Sequence, residues 1–177
     1  ELCRTTIERI RNPQHDLLST LIAPDFPTGG ELIYDRSQLE SIYRTGRGSF
    51  KVRAKWEYLK KENIIEITEI PYTTTVEAII DKVTELIKSG KIREISDMRD
   101  ETGKEGLKIA IDLKRGTDPN KLMAKLMKMT TLCDSFACNF NILIEGMPRV
   151  MGVGEILDEW TAWRTQCVKR KLYHDLR

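Results

Sequence analysis

The chain has 177 residues, of which 40% are hydrophobic and 32% charged, with 29 lysines and arginines against 27 aspartates and glutamates and a formal net charge of +2. That length fits one domain with appendages and a substantial core; no apolar run approaches the roughly 20 residues of a membrane span; and a charge so near balance excludes arguing a polyanionic partner from totals. Four scattered cysteines, Cys3, Cys133, Cys138 and Cys167, do not form the framework of a small secreted domain and point to the cytoplasm.

Residues 1–22, ELCRTTIERIRNPQHDLLSTLI, space their apolar side chains as two short helices broken at Asn12-Pro13, where proline cannot continue a helix. They read as the end of a preceding unit, and a chain that starts at Glu1 without an initiator methionine is expected to be a piece of something longer. APDFPTGGE, residues 23–31, is a stiff, turn-forming connector and the expected domain boundary.

The stretch SIYRTGRGS, residues 41–49, reads as a turn carrying Gly46 and Gly48. Beyond it Phe50, Val52, Ala54, Trp56 and Tyr58 share one parity while Lys51, Arg53, Lys55 and Glu57 share the other, the period of a half-buried strand. With Arg44 and Arg47, the segment from 44 to 55 holds five cations and no acid. Such a face often serves only solubility and protection of a sheet edge; clustered cations also suit nucleic-acid phosphate.

KKEN, residues 60–63, supplies a turn, and IIEITEI, residues 64–70, a second strand, so 49–70 reads as a hairpin ended by Pro71. Thr74 with Glu77 forms a capping-box pattern before the helical stripe Val76, Ile79, Ile80, Val83, Leu86 and Ile87, which stops at Gly90. SDMRDETGKEG, residues 96–106, reads as a polar turn, LKIAIDL, residues 107–113, as a strand, Asp118-Pro119 as a helix start, and FACNFNILIEG, residues 136–146, as a further strand. The order ββαβαβ followed by a helix implies an α+β fold with a mixed sheet and packed helices. In that last segment, 153–177, Ile156, Trp160, Trp163, Cys167 and Leu172 fall near one face, and the two tryptophans are expected as buried anchors.

No catalytic or metal-binding set stands out. The only histidines, His15 and His174, make no triad. Asp97, Asp100 and Glu101 are interleaved with Arg99 and Lys104 and read as a solvated loop. Cys133 and Cys138, five apart, fall on opposite faces of an extended segment, whereas zinc needs about four convergent ligands. Gly46 and Gly48 precede a strand, the reverse of a nucleotide-binding loop. The residues by themselves point to a binding or structural module.

Taken in order, PDFPTGG, YRTGRGS continuing into VRAK, ITEIPY, ISDMRDET and the closing VKRKLYHDL resemble the A subunits of bacterial type IIA DNA topoisomerases, DNA gyrase and topoisomerase IV. The resemblance implies three segments: 1–25, the last helices of a winged-helix domain and the connector; 26–150, a tower domain beside the gate DNA duplex; and 151–177, the start of a long helical arm. It implies that Arg44, Arg47, Lys51, Arg53 and Lys55 contact DNA phosphates without reading bases, that Gly46 and Gly48 form a tight turn beside the duplex, and that Leu32, or Ile33 if the register slips, is the aliphatic wedge that bends the duplex. The family's nucleophile is a tyrosine directly after an arginine. None of Tyr34, Tyr43, Tyr58, Tyr72 and Tyr173 has that context, so the catalytic tyrosine is expected upstream and the segment is expected to be inactive alone. Mg²⁺ and ATP would be held by the partner B subunit, the A subunit would form a homodimer, and no membrane would be involved. Against DNA support stand a scaffold role with negligible DNA affinity and a free RNA-binding domain; the latter is disfavoured because the strand's aromatics lie on its apolar parity.

Overall fold

The computed structural model describes residues 1–177. In chain order the first elements are α1 (Leu2–Arg11), α2 (Leu17–Thr20), β1 (Glu31–Leu32), α3 (Arg36–Thr45), β2 (Arg47–Arg53), β3 (Lys55–Leu59) and β4 (Ile64–Glu69). They are followed by α4 (Val76–Lys88), β5 (Ile95–Asp100), β6 (Ile109–Leu113), α5 (Pro119–Met129), β7 (Cys133–Asn139), β8 (Asn141–Ile144), β9 (Met147–Val150) and α6 (Val153–Asp175). The class is α+β. Two compact units divide the chain: one holds 1–24, 35–49 and 137–177, the other 25–34 and 50–136.

The second unit is built on a four-stranded antiparallel sheet in the order β3-β4-β6-β5, with α4 and α5 packed on it. Ile65, Ile67, Ile109 and Ile111 from the sheet meet Ile79, Val83 and Leu86 of α4 and Leu122, Met123 and Leu126 of α5 in one buried cluster. Helix α4 ends at Lys88, and Gly90, just beyond its C-terminal cap Ser89, has a φ of +74° that suits glycine. Its N-terminal cap is Thr75, which accepts from the Ala78 N–H, in place of the expected Thr74; the Thr74 hydroxyl bonds that of Thr131 at 2.7 Å. Helix α5 starts as expected, with Pro119 in the first turn and the Asp118 carboxylate accepting from the N–H groups of Asn120 and Lys121.

Several expected elements differ. The alternating segment from 50 to 58 keeps its parity but is two strands: β2 belongs to the β1-β2-β7 sheet and β3 to the four-stranded one. The break falls at Ala54, fully buried, whose N–H leaves its neighbours to donate to the Leu132 carbonyl at 2.6 Å. The polar segment from 96 contains β5, an edge strand whose charged side chains conceal its pairing with β6. The 136–146 strand divides into β7 and β8, and β8 turns back into β9 through Glu145 and Gly146, both at positive φ as a two-residue hairpin requires.

In the first unit, α1 and α2 are the two short helices expected, separated at Asn12-Pro13. The Thr5 hydroxyl, on a fully buried residue, donates to the Glu1 carbonyl and shares a hydrogen bond with the Thr20 hydroxyl. Arg9 grips Asp158 of α6 through two hydrogen bonds of 2.8 and 2.9 Å, a fork-on-carboxylate pairing. Trp160 and Trp163, expected as buried anchors, are 47% and 59% exposed. Only Leu157 of α6 is buried; α6 packs on α3, and its later apolar residues Val168, Leu172 and Tyr173 are exposed.

Candidate nucleic-acid interface

Arg44 and Arg47 bracket the C-terminus of α3 in the first unit. Helix α3 stands where the sequence reading has a turn. Asp35 caps it, its carboxylate accepting from the N–H groups of Ser37 and Gln38, and Leu39, Ile42 and Tyr43 are its buried side. Chiefly the Ser37 hydroxyl, with those N–H groups, holds the Asp35 carboxyl below its ordinary range. The helix ends at Gly46 with φ +76°. A Cβ at Gly46 would collide with the Met151 carbonyl, and one at Gly152 with the carbonyls of Tyr43 and Arg44. Two glycines thus let the end of α3 and the backbone entering α6 approach without side chains between them. A Cβ at Gly48 (φ +150°) would meet the Ile42 side chain. Arg44 and Arg47 are exposed and enter no ion pair.

Lys51, Arg53 and Lys55 lie in the second unit, exposed on the parity opposite the buried Phe50, Val52 and Ala54. Lys51 has no ionic partner. Arg53 pairs with Glu31 at 2.8 Å and Lys55 with Glu69 at 3.7 Å. Sequence reasoning missed both carboxylates, since neither lies between 44 and 55. Antiparallel pairing supplies them: Glu31 sits opposite Arg53, and Glu69 opposite Lys55.

Glu69 also fastens the connector. Its carboxylate accepts the Gly30 N–H at 2.7 Å, and the same carboxylate fills the space a Cβ at Gly29 would need. Phe26 packs on Phe136 and Phe50 with centroid separations of 4.8 and 6.0 Å. So held, the connector leads into β1, where Leu32 is half-buried opposite Val52. The next side chain, Ile33, is 44% exposed, and its N–H donates to the Lys51 carbonyl.

Among the remaining candidates, the Arg99 guanidinium hydrogen-bonds Asp112, Asp97 and Glu101, which consumes the acidic run in internal pairing. No three His, Cys, Asp or Glu side chains gather as a metal-holding group. Burial pushes the Cys138 thiol up, away from the reactive thiolate. The arrangement offers exposed guanidinium and ammonium donors, suited to holding phosphate; the His15 Nε2–Thr20 hydroxyl contact of 2.8 Å lies at α2 and involves none of them.

The sequence matches the family described as the A subunit of DNA gyrase/topoisomerase IV over residues 1–177. It is 38% identical over 179 residues to a chloroplastic/mitochondrial DNA gyrase A subunit of Arabidopsis thaliana, covering 97% of this chain and 19% of that protein. It is 35% identical to the DNA gyrase A subunit of Borreliella burgdorferi, covering 100% of this chain and 22% of the relative, and 37% identical to that of Halalkalibacterium halodurans, covering 92% and 20%. The chain thus spans about a fifth of the length of the relatives it matches.

Proposed function

The chain belongs to the family of DNA gyrase and topoisomerase IV A subunits, and we propose that it serves there as the segment supporting and bending the gate DNA duplex while both strands are broken, passed and rejoined. Residues 26–150 would form the tower domain, 1–25 the end of the winged-helix domain with the connector, and 151–177 the start of the helical arm. One observation carries the reading: Arg44, Arg47 and Lys51, over eight consecutive residues, are exposed cations with no acidic partner. Such groups contact phosphates and set position without reading sequence.

Leu32 and Ile33 offer the aliphatic wedge. Insertion between base pairs needs an accessible side chain, and the exposure of Ile33 favours it over the half-buried Leu32. Cleavage itself belongs elsewhere, since none of the five tyrosines follows an arginine. The B subunit would supply ATP hydrolysis and the Mg²⁺ site, and two A subunits would pair in the whole enzyme. The pairing of Arg53 and Lys55 with carboxylates favours a second reading, a scaffold whose charges are mostly internal.

A salt titration on a labelled duplex of about 30 base pairs separates the two. DNA support predicts affinity that falls steeply with salt, with a slope shallower by roughly 0.9 for each phosphate left unneutralised in an Arg44, Arg47, Lys51 and Arg53 quadruple-alanine variant. Equal slopes would remove this surface from the interface, and absence of binding at low salt would leave the scaffold. The chain should leave supercoiled plasmid uncut under every condition; a protein-linked break would overturn the assignment of the nucleophile.

A further inference from the structure

A second group of cations lies at one end of the four-stranded sheet. The pairs Leu59–Ile64, Ile64–Asp112 and Ile95–Leu113 bring the 60–63 turn, the 89–94 loop and the 114–118 loop to the same sheet end. Hydrogen bonds join them: the Leu113 N–H donates to the Asn63 carbonyl, the Asn63 amide donates to the Leu113 carbonyl, and the Lys114 N–H donates to the Glu94 carbonyl. Together they present Lys60, Lys61, Lys91, Arg93, Lys114 and Arg115, all exposed and none in an ion pair.

Some of the acids nearby are occupied. Glu94 accepts from the Arg93 N–H at 2.8 Å and pairs with Lys125 at 3.4 Å. These contacts, the backbone one first, hold its carboxyl below the ordinary range. The Asp118 carboxylate caps α5. Glu62 in the 60–63 turn and Glu57 on β3, between Lys55 and the sheet end, are left without an ion pair. Elsewhere in this unit cations sit beside acids, as Lys108 does with Glu66 at 2.7 Å; Glu85, in the last turn of α4 and near Lys91, is bridged by Lys82 at 2.8 Å. In a chain of net charge +2, such an excess is local.

We propose that this sheet end is a second phosphate-binding surface for duplex DNA, distinct from the strand carrying Lys51 to Lys55. The proposal deepens the reading of the chain as a duplex-supporting segment and rests on it for the identity of the polyanion. Two features favour a nucleic-acid backbone over an acidic protein. No large apolar side chain is exposed in these three segments, so the surface lacks the anchor that protein interfaces centre on. Four strands spaced about 4.8 Å apart make the platform about 15 Å wide, which matches roughly four phosphates at the 3.4 Å rise of one strand. Along β3 it begins roughly 17 Å from Lys55, about five base pairs, so one straight duplex can reach both.

The test is lysine labelling with an acylating ester, read by mass spectrometry, of the 177-residue chain with and without a duplex of about 40 base pairs. Lys60, Lys61, Lys91 and Lys114 are expected to be protected at least about threefold, with the exposed Lys104 and Lys128 as unprotected controls. A variant combining K91A, R93A, K114A and R115A, all exposed positions, should bind the duplex with a salt slope shallower by about 0.9 for each phosphate it no longer neutralises. Protection of Lys51 and Lys55 alone, with an unaltered slope in the variant, would overturn the second surface and leave the proposed function standing. Protection of the sheet end alone would support the second surface while overturning the Lys51–Lys55 interface. No protection anywhere would overturn both, and equal protection by polyglutamate would overturn DNA as its ligand.

Discussion

Gly46 and Gly116 share a left-handed backbone, at φ +76° and +78°, but not their surroundings: a Cβ would strike the Met151 carbonyl at the first and meet nothing at the second. Alanine at Gly116 should cost about 1 kcal/mol from backbone strain alone, whereas at Gly46 the collision adds to it and the loss should exceed about 2 kcal/mol. Urea unfolding of the two variants measures the difference, and equal losses would show that the approach of α3 to residues 151–152 relaxes freely. Glu31 supplies a second prediction at this scale. Because it neutralises Arg53, Glu31→Gln should tighten duplex binding a few-fold at low salt, an effect that fades as salt screens it. Unchanged affinity would mean Arg53 faces away from the duplex.

At the scale of elements, α3 depends on Asp35. Its folded pKa lies below the ordinary 3.8, so its stabilising effect is present above that value and is lost as pH falls through the depressed one. The stability gap between the parent and Asp35→Ala should therefore be full at neutral pH and shrink in strong acid; a gap independent of pH would show that the charge of the carboxylate adds nothing to the cap. Helix α6 gives the opposite expectation. With Trp163 mostly exposed, Trp163→Ala should change the chain's melting free energy by less than about 0.5 kcal/mol. Most elements were legible from periodicity, and the failures share a cause. Periodicity reports burial, so β5, charged and at a sheet edge, looked like a turn, and α3, with its apolar residues crowded into Leu39, Ile42 and Tyr43, was hidden by the glycines that end it. The period-2 pattern running through Ala54 could not reveal a change of sheet, because the parity of the side chains is kept while the pairing partners are exchanged. The cations of the candidate interface were legible in the same way; their carboxylate partners were not, since Glu31 and Glu69 arrive only through strand register.

Across the whole molecule, the large buried cluster belongs to the second unit, and Ile111→Ala at its centre should cost about 2–5 kcal/mol. The first unit is assembled instead from distant stretches: the Arg9–Asp158 pairing joins residues 149 apart. This has a consequence for synthesis on the ribosome. All residues of the second unit have been made once Phe136 has been added, whereas α1 and α3 must wait for α6, whose last residue is Asp175. A nascent chain halted between those points should hold a protease-resistant second unit beside helices that are still digestible.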